Sequence, residues 1–277
     1  MRTMLSRLAG TALATAAVAL AVPATAAAAA TSSSPGYDVS HPQCDVVLPP
    51  AAGFAAVGVN GGLASTPNPC LTQELSWAAA VTAPAPGAGG GQPPVQLYLN
   101  TANPGEIRQQ VTTWPDAGHT PYGDCGGGND TACSWQYGWE RARDSVGDFF
   151  VPAATAAGIS NDPAAYTWWL DVETMNTWQT GSPDGIARNR AALEGMAAFL
   201  LQRGAHVGLY STPSQWDAIA GAIGWDSDLY RLPSWLAGAD DADGALAACS
   251  ADPLVAGGTV TLTQYVAEGL DTDVTCG

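Results

Sequence analysis

The segment YTWWLDVE at residues 166–173 places two carboxylates two positions apart at the end of an apolar, aromatic run. In an extended strand the side chains of residues i and i+2 point to the same face, so Trp169, Asp171 and Glu173 are expected to line one surface. Burying two acids together is costly unless their pKa values shift, and two interacting acids titrate apart. Acid-assisted glycoside cleavage needs one protonated and one ionised carboxyl. The alternative is a strand end that merely meets solvent.

Strand-like and helix-like segments alternate along the rest of the chain. Strand patterns occupy residues 37–40, 54–60, 95–100, 166–173, 206–211, 233–237 and 260–266. Helical patterns occupy residues 71–81, 134–157 with an interruption near Pro152, 185–203 and 214–223. Most of the strands are apolar rather than alternating, which is typical of parallel strands covered on both faces. The pattern therefore predicts an α/β fold, a (β/α) barrel of the TIM type, regular or irregular, with disulfide-stapled loops.

The N-terminal residues 1–26 have the features of a secretory signal peptide. Arg2 and Arg7 precede an apolar, alanine-rich run at 8–22, and small residues at 24–26 fit a cleavage site. That run is too short for a membrane span. Residues 27–35 are expected to form a flexible lead-in and residues 36–277 a single barrel domain, so the predicted location is extracellular. The Pro/Gly-rich stretch 83–94 is predicted to be a mobile loop.

The formal net charge is −16, every positive side chain is arginine, and removing Arg2 and Arg7 makes the charge −18. Such a surface repels nucleic acid and anionic membranes, which excludes both as partners. We expect a monomer whose partner is a glycan.

Six cysteines in an exported chain favour three disulfides over a metal site. Sequence alone allows 15 pairings. Cys125 and Cys133 flank a short glycine-rich loop that is easily closed, and the other expected pairs are Cys44 with Cys70 and Cys249 with Cys276. No C-x-x-C pair or histidine cluster occurs, so neither a metal nor a cofactor is predicted.

In (β/α) barrels the active site forms at the carboxyl ends of the strands. Polar and aromatic residues at the predicted strand ends resemble a carbohydrate cleft, in which rings stack on sugars and amides bond to hydroxyls. The predicted substrate-binding residues are Tyr98, Asn100, Trp169, Tyr210, Trp235 and Gln264. Alternatively, Tyr98 and Tyr210 are core aromatics with satisfied hydroxyls. Trp168 points away from Asp171 and is expected to pack beneath a helix.

Five motifs in order resemble those of family 25 glycoside hydrolases, the Chalaropsis-type lysozymes, and the chain looks like secreted actinobacterial proteins of this kind. The motifs are YDVSHPQ at 37–43, WLDVE at 169–173, VGLYS at 207–211 with Trp216, SWLA at 234–237, and LTQY at 262–265 followed by LD at 270–271. Together they span nearly all of the expected mature chain.

The resemblance implies a secreted, lysozyme-like hydrolase that cleaves an N-acetylated glycan such as peptidoglycan. It implies that Glu173 is the general acid and that Asp171 is its partner, holding the N-acetyl group or a water. Asp38 and Asp271 match two further acids of the same site. The alternative is a non-catalytic, cell-surface barrel that binds glycans through the same aromatic residues.

The chain also departs from the family pattern. VNGG at 59–62 stands where family members usually carry an arginine-containing strand, and LYLNTA at 97–102 replaces a Y-H-[YF]-like motif. Thr263 occupies a position where tryptophan is common, and the cysteine-bearing insertion at 113–133 looks foreign to the family. The family's fold and acid cluster are therefore better supported for this chain than the family's muramidase substrate is.

Overall fold

The computed structural model describes residues 35–82 and 93–276. The expected signal peptide at 1–26 and all but the last residue of the expected lead-in lie outside the described residues, as does most of the expected loop at 83–94. The described residues belong to one compact unit. The domain boundaries remain predictions.

Eight strands close into a barrel, which confirms the predicted fold class. In the order in which they pair around the barrel they are β1 (Gly36–Val39), β10 (Leu270–Thr275), β9 (Val260–Ala267), β8 (Ser234–Ala239), β7 (His206–Ser211), β6 (Thr167–Asp171), β3 (Val95–Asn100) and β2 (Ala55–Gly58). Neighbouring strands are parallel except that β10 runs antiparallel to both β9 and β1. The short hairpin of β4 (Gly118–Thr120) and β5 (Gly123–Cys125) lies outside the barrel. The barrel is therefore mixed rather than all-parallel.

Helices cover the outside of the barrel. They are α1 (Leu71–Val81), α2 (Thr131–Asp144), α3 (Val151–Ala157), α4 (Pro183–Gln202), α5 (Pro213–Ile219) and α6 (Ala242–Ala248). A π-helical turn, Ser145–Phe150, joins α2 to α3, so the predicted interruption near Pro152 is a change of helix type rather than a gap. Pro152 lies in the first turn of α3, where the missing N–H of proline is tolerated.

The outward faces of the strands form the main hydrophobic core against these helices. Leu97, Leu99, Trp168 and Leu170 are fully buried there. The Trp168 ring packs edge-on against Phe150, with 5.1 Å between centroids, so it lies beneath the helical layer as expected. This layer buries the apolar strand positions and leaves the inward positions free for other roles.

The inside of the barrel is filled by aromatic rings. Trp235 packs edge-on against Trp169, Tyr210 and Tyr98, at centroid distances of 5.6, 4.6 and 6.4 Å. Gly208 makes room for them, because a Cβ at this position would lie 2.2 Å from the Trp169 ring. The interior below these rings is thus a packed core, and the partly exposed inward residues lie toward one end of the barrel.

All three expected disulfides are present. Cys44 is bonded to Cys70, Cys125 to Cys133 and Cys249 to Cys276. The first joins loops after β1 and β2, the second ties β5 to α2, and the third joins the end of α6 to the end of β10. The third therefore fastens the antiparallel strand that closes the barrel.

Replacing Cys249 and Cys276 together by serine is expected to lower the free energy of unfolding by about 3.5 kcal/mol. The matched double replacement of Cys125 and Cys133 should cost about 2.5 kcal/mol, because it opens a loop of 8 residues rather than one of 27. Urea unfolding of both variants measures the two values. A larger loss for the short loop would contradict a cost set by loop length.

Candidate active site

Five acids lie on inward-facing positions toward one end of the barrel. Asp38, the next-to-last residue of its strand, lies directly opposite Asp271 of β10, and Asp273 follows on the same face of β10. Asp171 is the last residue of β6 and lies opposite Asn100 and Tyr210, with Glu173 two residues beyond it. Electrostatic interaction links Asp38 to Asp271 and Glu173, and Asp171 to Asp38 and Glu173. The structure therefore brings together all four acids singled out in the sequence.

Asp273 is the fifth acid, and the sequence analysis did not identify it. It is fully buried, accepts a 3.0 Å hydrogen bond from the Trp235 indole nitrogen, and is hydrogen-bonded to the Asp38 carboxyl. Two carboxyls can share a hydrogen bond only when one carries a proton. Asp273 and Asp38 thus form a proton-sharing pair at the base of the site.

A relay of side chains supports the Asp38 carboxyl from the other direction. The Gln264 amide nitrogen donates to Asp38 Oδ2 at 2.8 Å, and the Tyr210 hydroxyl donates to Gln264 Oε1 at 2.9 Å. Because Tyr210 fixes the oxygen of the amide, Gln264 must present its nitrogen to Asp38. The orientation of Asp38 is therefore set by groups on β7, β9 and β10.

Burial is the main cause of the raised pKa values in this cluster. It raises the pKa of Asp38 to about 8, with a further contribution from Asp271. Burial, followed by the neighbouring acids, also holds the pKa values of Asp171 and Asp273 well above the ordinary range. In the part of the chain that the structure describes, no arginine or histidine is an electrostatic partner of these acids. The cluster therefore retains protons at neutral pH.

Glu173 is half-buried and is held by a side chain of α5. The Gln215 oxygen accepts from the backbone nitrogen and the hydroxyl of Thr174, at 2.6 and 2.9 Å. Its amide nitrogen therefore faces the Glu173 carboxylate, to which it is hydrogen-bonded. Burial raises the pKa of Glu173, the hydrogen bond from Gln215 lowers it in part, and Asp271 raises it. A partly accessible carboxyl with a raised pKa suits an acid catalyst.

Asp171 carries a buried oxygen with no hydrogen-bond partner among the described residues. The side chain is 5% exposed, and Oδ1 is the atom left without a partner. Leaving such an atom unsatisfied costs about 1–3 kcal/mol, which a bound group could recover. Together with its inward position, this orphan oxygen makes Asp171 a candidate contact for a ligand.

The predicted substrate-binding residues lie at different depths. Tyr98 and Tyr210 are half-buried at the level of the acids, whereas Trp169 and Trp235 are each 1% exposed and pack inside the barrel. The Gln264 side chain is already hydrogen-bonded to Asp38 and Tyr210. Asn100 is paired with Asn60, two residues beyond the end of β2, and its backbone nitrogen donates to Asn60 Oδ1 at 2.7 Å. Of the six, only the two tyrosines combine partial exposure with a place beside the acids.

A buried amide holds the loop that follows Glu173. The Gln179 amide nitrogen donates to the side-chain oxygens of Asn103 and Asn129, both at 3.0 Å. Its oxygen accepts from Asn129 at 3.0 Å and from Arg188 at 2.7 Å. Asn129 belongs to the cysteine-bearing insertion, so the segment that looked foreign in the sequence anchors a loop of the site.

Gln179→Leu is expected to lower the free energy of unfolding by roughly 2–3 kcal/mol, because it leaves the buried amide of Asn103 short of a partner. It should also speed amide hydrogen exchange in residues 174–178. Gln136→Leu, which removes a single side-chain bond to Glu140, is the control and should change stability by less than about 1 kcal/mol. Equal exchange rates in wild type and Gln179→Leu would show that this contact does not hold the loop.

One group of possible metal ligands lies outside the acid cluster. Across residues 35–82 and 93–276, Cys44, Cys70 and Glu74 bring three possible ligand atoms together. The two sulfurs are joined in a disulfide, so they offer no thiolates. Glu74 instead accepts a 2.6 Å hydrogen bond from Asn68, and burial raises its pKa to about 7. Glu74 therefore makes a buried structural contact with Asn68.

Comparison with known proteins gives matches in both sequence and structure. No protein-family model matches the chain. A probable GH family 25 lysozyme of Dictyostelium discoideum is 32% identical over 109 residues, which is 39% of this chain and 44% of that protein. The matched stretch thus spans less than half the length of the curated relative.

Solved structures match over most of the chain. A family GH25 lysozyme from Aspergillus fumigatus aligns with a TM-score of 0.53 at 16% identity, over 88% of this chain and 94% of that one. A bacterial lysozyme from Streptomyces coelicolor aligns with a TM-score of 0.47 at 18% identity, over 89% and 94%. The Aspergillus fumigatus structure confirms the resemblance to family 25 in the fold, and the Dictyostelium discoideum relative confirms it in one stretch of sequence. Within the described residues, no helix is long and apolar enough to cross a membrane.

Proposed function

We propose that this protein is a secreted glycoside hydrolase that cleaves an N-acetylated glycan, namely peptidoglycan or a related polysaccharide, by carboxylic-acid catalysis. The observation that carries the proposal is the half-buried Glu173, whose pKa is raised by burial, beside the buried and partly unsatisfied Asp171. The relatives named as lysozymes support the same reaction class.

In the proposed reaction Glu173 gives its proton to the glycosidic oxygen as the bond from that oxygen to the anomeric carbon breaks. Positive charge develops on the sugar ring, and the ionisation of one of the surrounding carboxyls stabilises it. Asp171 orients the N-acetyl group or a water through its unpaired oxygen. Water supplies the hydroxyl to the anomeric carbon, and its remaining proton restores a carboxyl of the site. Asp38 and Asp271 complete the acid cluster.

Tyr98 and Tyr210 are proposed as the aromatic contacts for the sugar, because both are half-buried beside the acids. Trp169 and Trp235 support this surface from below, Trp169 through a 2.7 Å bond from its indole nitrogen to Gln96 and Trp235 through its bond to Asp273. Asn100 is proposed to act by holding the strand ends through its contact with Asn60. Gln264 is proposed to act by orienting Asp38. The three disulfides support an extracellular location.

Incubating the mature protein with purified cell walls, followed by mass spectrometry of the soluble fraction, tests the proposal. Released fragments with new reducing ends are expected, and Glu173→Gln should release almost none. If the protein bound the walls but released no fragments between pH 4 and 8, the hydrolase would be rejected. The glycan-binding barrel would then be the remaining hypothesis.

A further inference from the structure

Resting on the proposed function, we propose that Gln215 is a positioning residue for the hydrolysis. Its amide aims the Glu173 carboxyl and stabilises the carboxylate that remains once the proton has passed to the sugar oxygen. Gln215 lies in the first turn of α5 and is half-buried. Burial and Asp271 favour the protonated form of Glu173, whereas the hydrogen bond from Gln215 favours release of the proton.

The orientation of the Gln215 amide is fixed by Thr174. The backbone nitrogen and the hydroxyl of Thr174 both donate to Gln215 Oε1, at 2.6 and 2.9 Å. A flipped amide would set its own N–H groups against the Thr174 backbone N–H, which cannot accept a hydrogen bond. The amide nitrogen is therefore the atom that meets the Glu173 carboxyl. Gln215 acts as a donor to Glu173.

One short segment, residues 211–215, holds both the backbone and the side chain of the acid. The Ser211 hydroxyl donates to the carbonyl oxygen of Val172, the residue before Glu173, at 2.6 Å. The hydroxyl of Thr212, the N-cap of α5, accepts from the Gln215 backbone nitrogen at 3.2 Å. The end of β6 and the start of α5 are thus tied to each other. The amide is in place before the reaction begins, so no reorganisation is needed as charge develops on the carboxyl.

The contact between Gln215 and Glu173 strengthens as the proton leaves. A hydrogen bond to an ionised acceptor is roughly twice as strong as one between neutral groups. Glu173 becomes ionised only when its proton moves to the sugar oxygen, so the contact is stronger in the transition state than in the bound ground state. A contact of this kind raises kcat, whereas one that is equally strong in both states lowers KM alone.

The other titratable groups that face Glu173 act in the opposite direction. They are Asp38 on β1, Asp171 on β6, Tyr210 on β7 and Asp271 on β10. A negative charge on any of them favours protonated Glu173. Within residues 35–82 and 93–276, no arginine or histidine is among its electrostatic partners. Loss of the Gln215 donor should therefore raise the pKa of Glu173 further.

Two replacements of Gln215 test the role. Gln215→Met keeps the length of the side chain but removes both of its hydrogen-bonding atoms. Gln215→Glu keeps an oxygen for Thr174 and turns a second oxygen, instead of a donor, toward Glu173. In both variants kcat for fragment release should fall about tenfold with KM nearly unchanged, because the lost contact is made mainly in the transition state. The alkaline limb of kcat/KM should move up by about one pH unit, since the acid holds its proton more tightly.

Gln202→Glu is the matched control, because it adds the same charge at an exposed position at the end of α4. Its kcat and its alkaline limb should equal those of the wild type. Carbon-13 NMR of the side-chain carboxyls follows the acid without any turnover. The chain has six glutamates, and the signal lost in Glu173→Gln identifies Glu173. In Gln215→Met its titration midpoint should lie about one pH unit above that of the wild type.

The outcomes separate the positioning role from the hydrolase. Wild-type kcat and an unmoved alkaline limb in both Gln215 variants overturn the positioning role and leave the hydrolase intact. A loss confined to KM, or a lower kcat with the Glu173 titration unchanged, shows a merely structural contact and also overturns it. If the wild type releases no fragments, the hydrolase is rejected and the positioning role with it.

Discussion

Glu173→Gln is expected to leave the barrel folded and to lower turnover by about 10²- to 10⁴-fold, the usual contribution of a positioned general acid. Glutamine keeps the size of the side chain and can accept the hydrogen bond from Gln215, but it has no proton to give to the departing sugar oxygen. The half-buried position tolerates the neutral amide. The rate of fragment release from cell walls measures the effect, and urea unfolding checks the fold.

Glu140→Gln is the matched control, because Glu140 lies on α2 and bonds only to Gln136 among the described side chains. Its turnover should equal that of the wild type. If Glu173→Gln kept more than a third of wild-type turnover, another acid would have to be the proton donor. Unchanged glycan affinity in Glu173→Gln, with no hydrolysis by either protein, would favour the binding barrel.

The positions of Asp38, Asp171 and Glu173 could be predicted because strand geometry fixes which side chains share a face. The apolar runs before these acids marked the strands clearly. β10 was missed because its inward positions carry Asp271 and Asp273, so its sequence, LDTDVT, lacks the hydrophobic pattern of a strand. The rule that paired Asp171 with Glu173 would have paired Asp271 with Asp273 once that strand was recognised.

Depth along the barrel could not be predicted in the same way. Trp169 shares a face with Asp171 but lies two residues earlier, and a strand rises by about 3.3 Å per residue. Its ring is therefore roughly 7 Å deeper than the acid, in the packed interior. The contacts of Gln179 could not be predicted from the sequence either, because they bring together Asn103, Asn129 and Arg188 from three separate segments.

The free energy of unfolding is expected to fall as pH rises from about 4 to 8, by on the order of several kcal/mol. Asp38 has a pKa of about 8 in the folded protein against an ordinary value of 3.8, and Asp171 and Asp273 are raised in the same direction. Between those pH values the folded state binds more protons than the unfolded state. Raising the pH therefore favours unfolding, and the contribution of these carboxyls is fully present only below the unfolded pKa.

Asp273→Asn tests this origin directly. The asparagine oxygen can still accept from Trp235 and its amide nitrogen can donate to Asp38, so the pair keeps its hydrogen bonds without sharing a proton. The variant should match the wild type at pH 5 and exceed its stability at pH 8, as measured by urea unfolding at each pH. Asp252→Asn, which removes the same unit of charge at an exposed position, controls for the net charge of −16. If both variants followed the wild-type curve, the pH dependence would have to arise from general charge repulsion rather than from the buried pair.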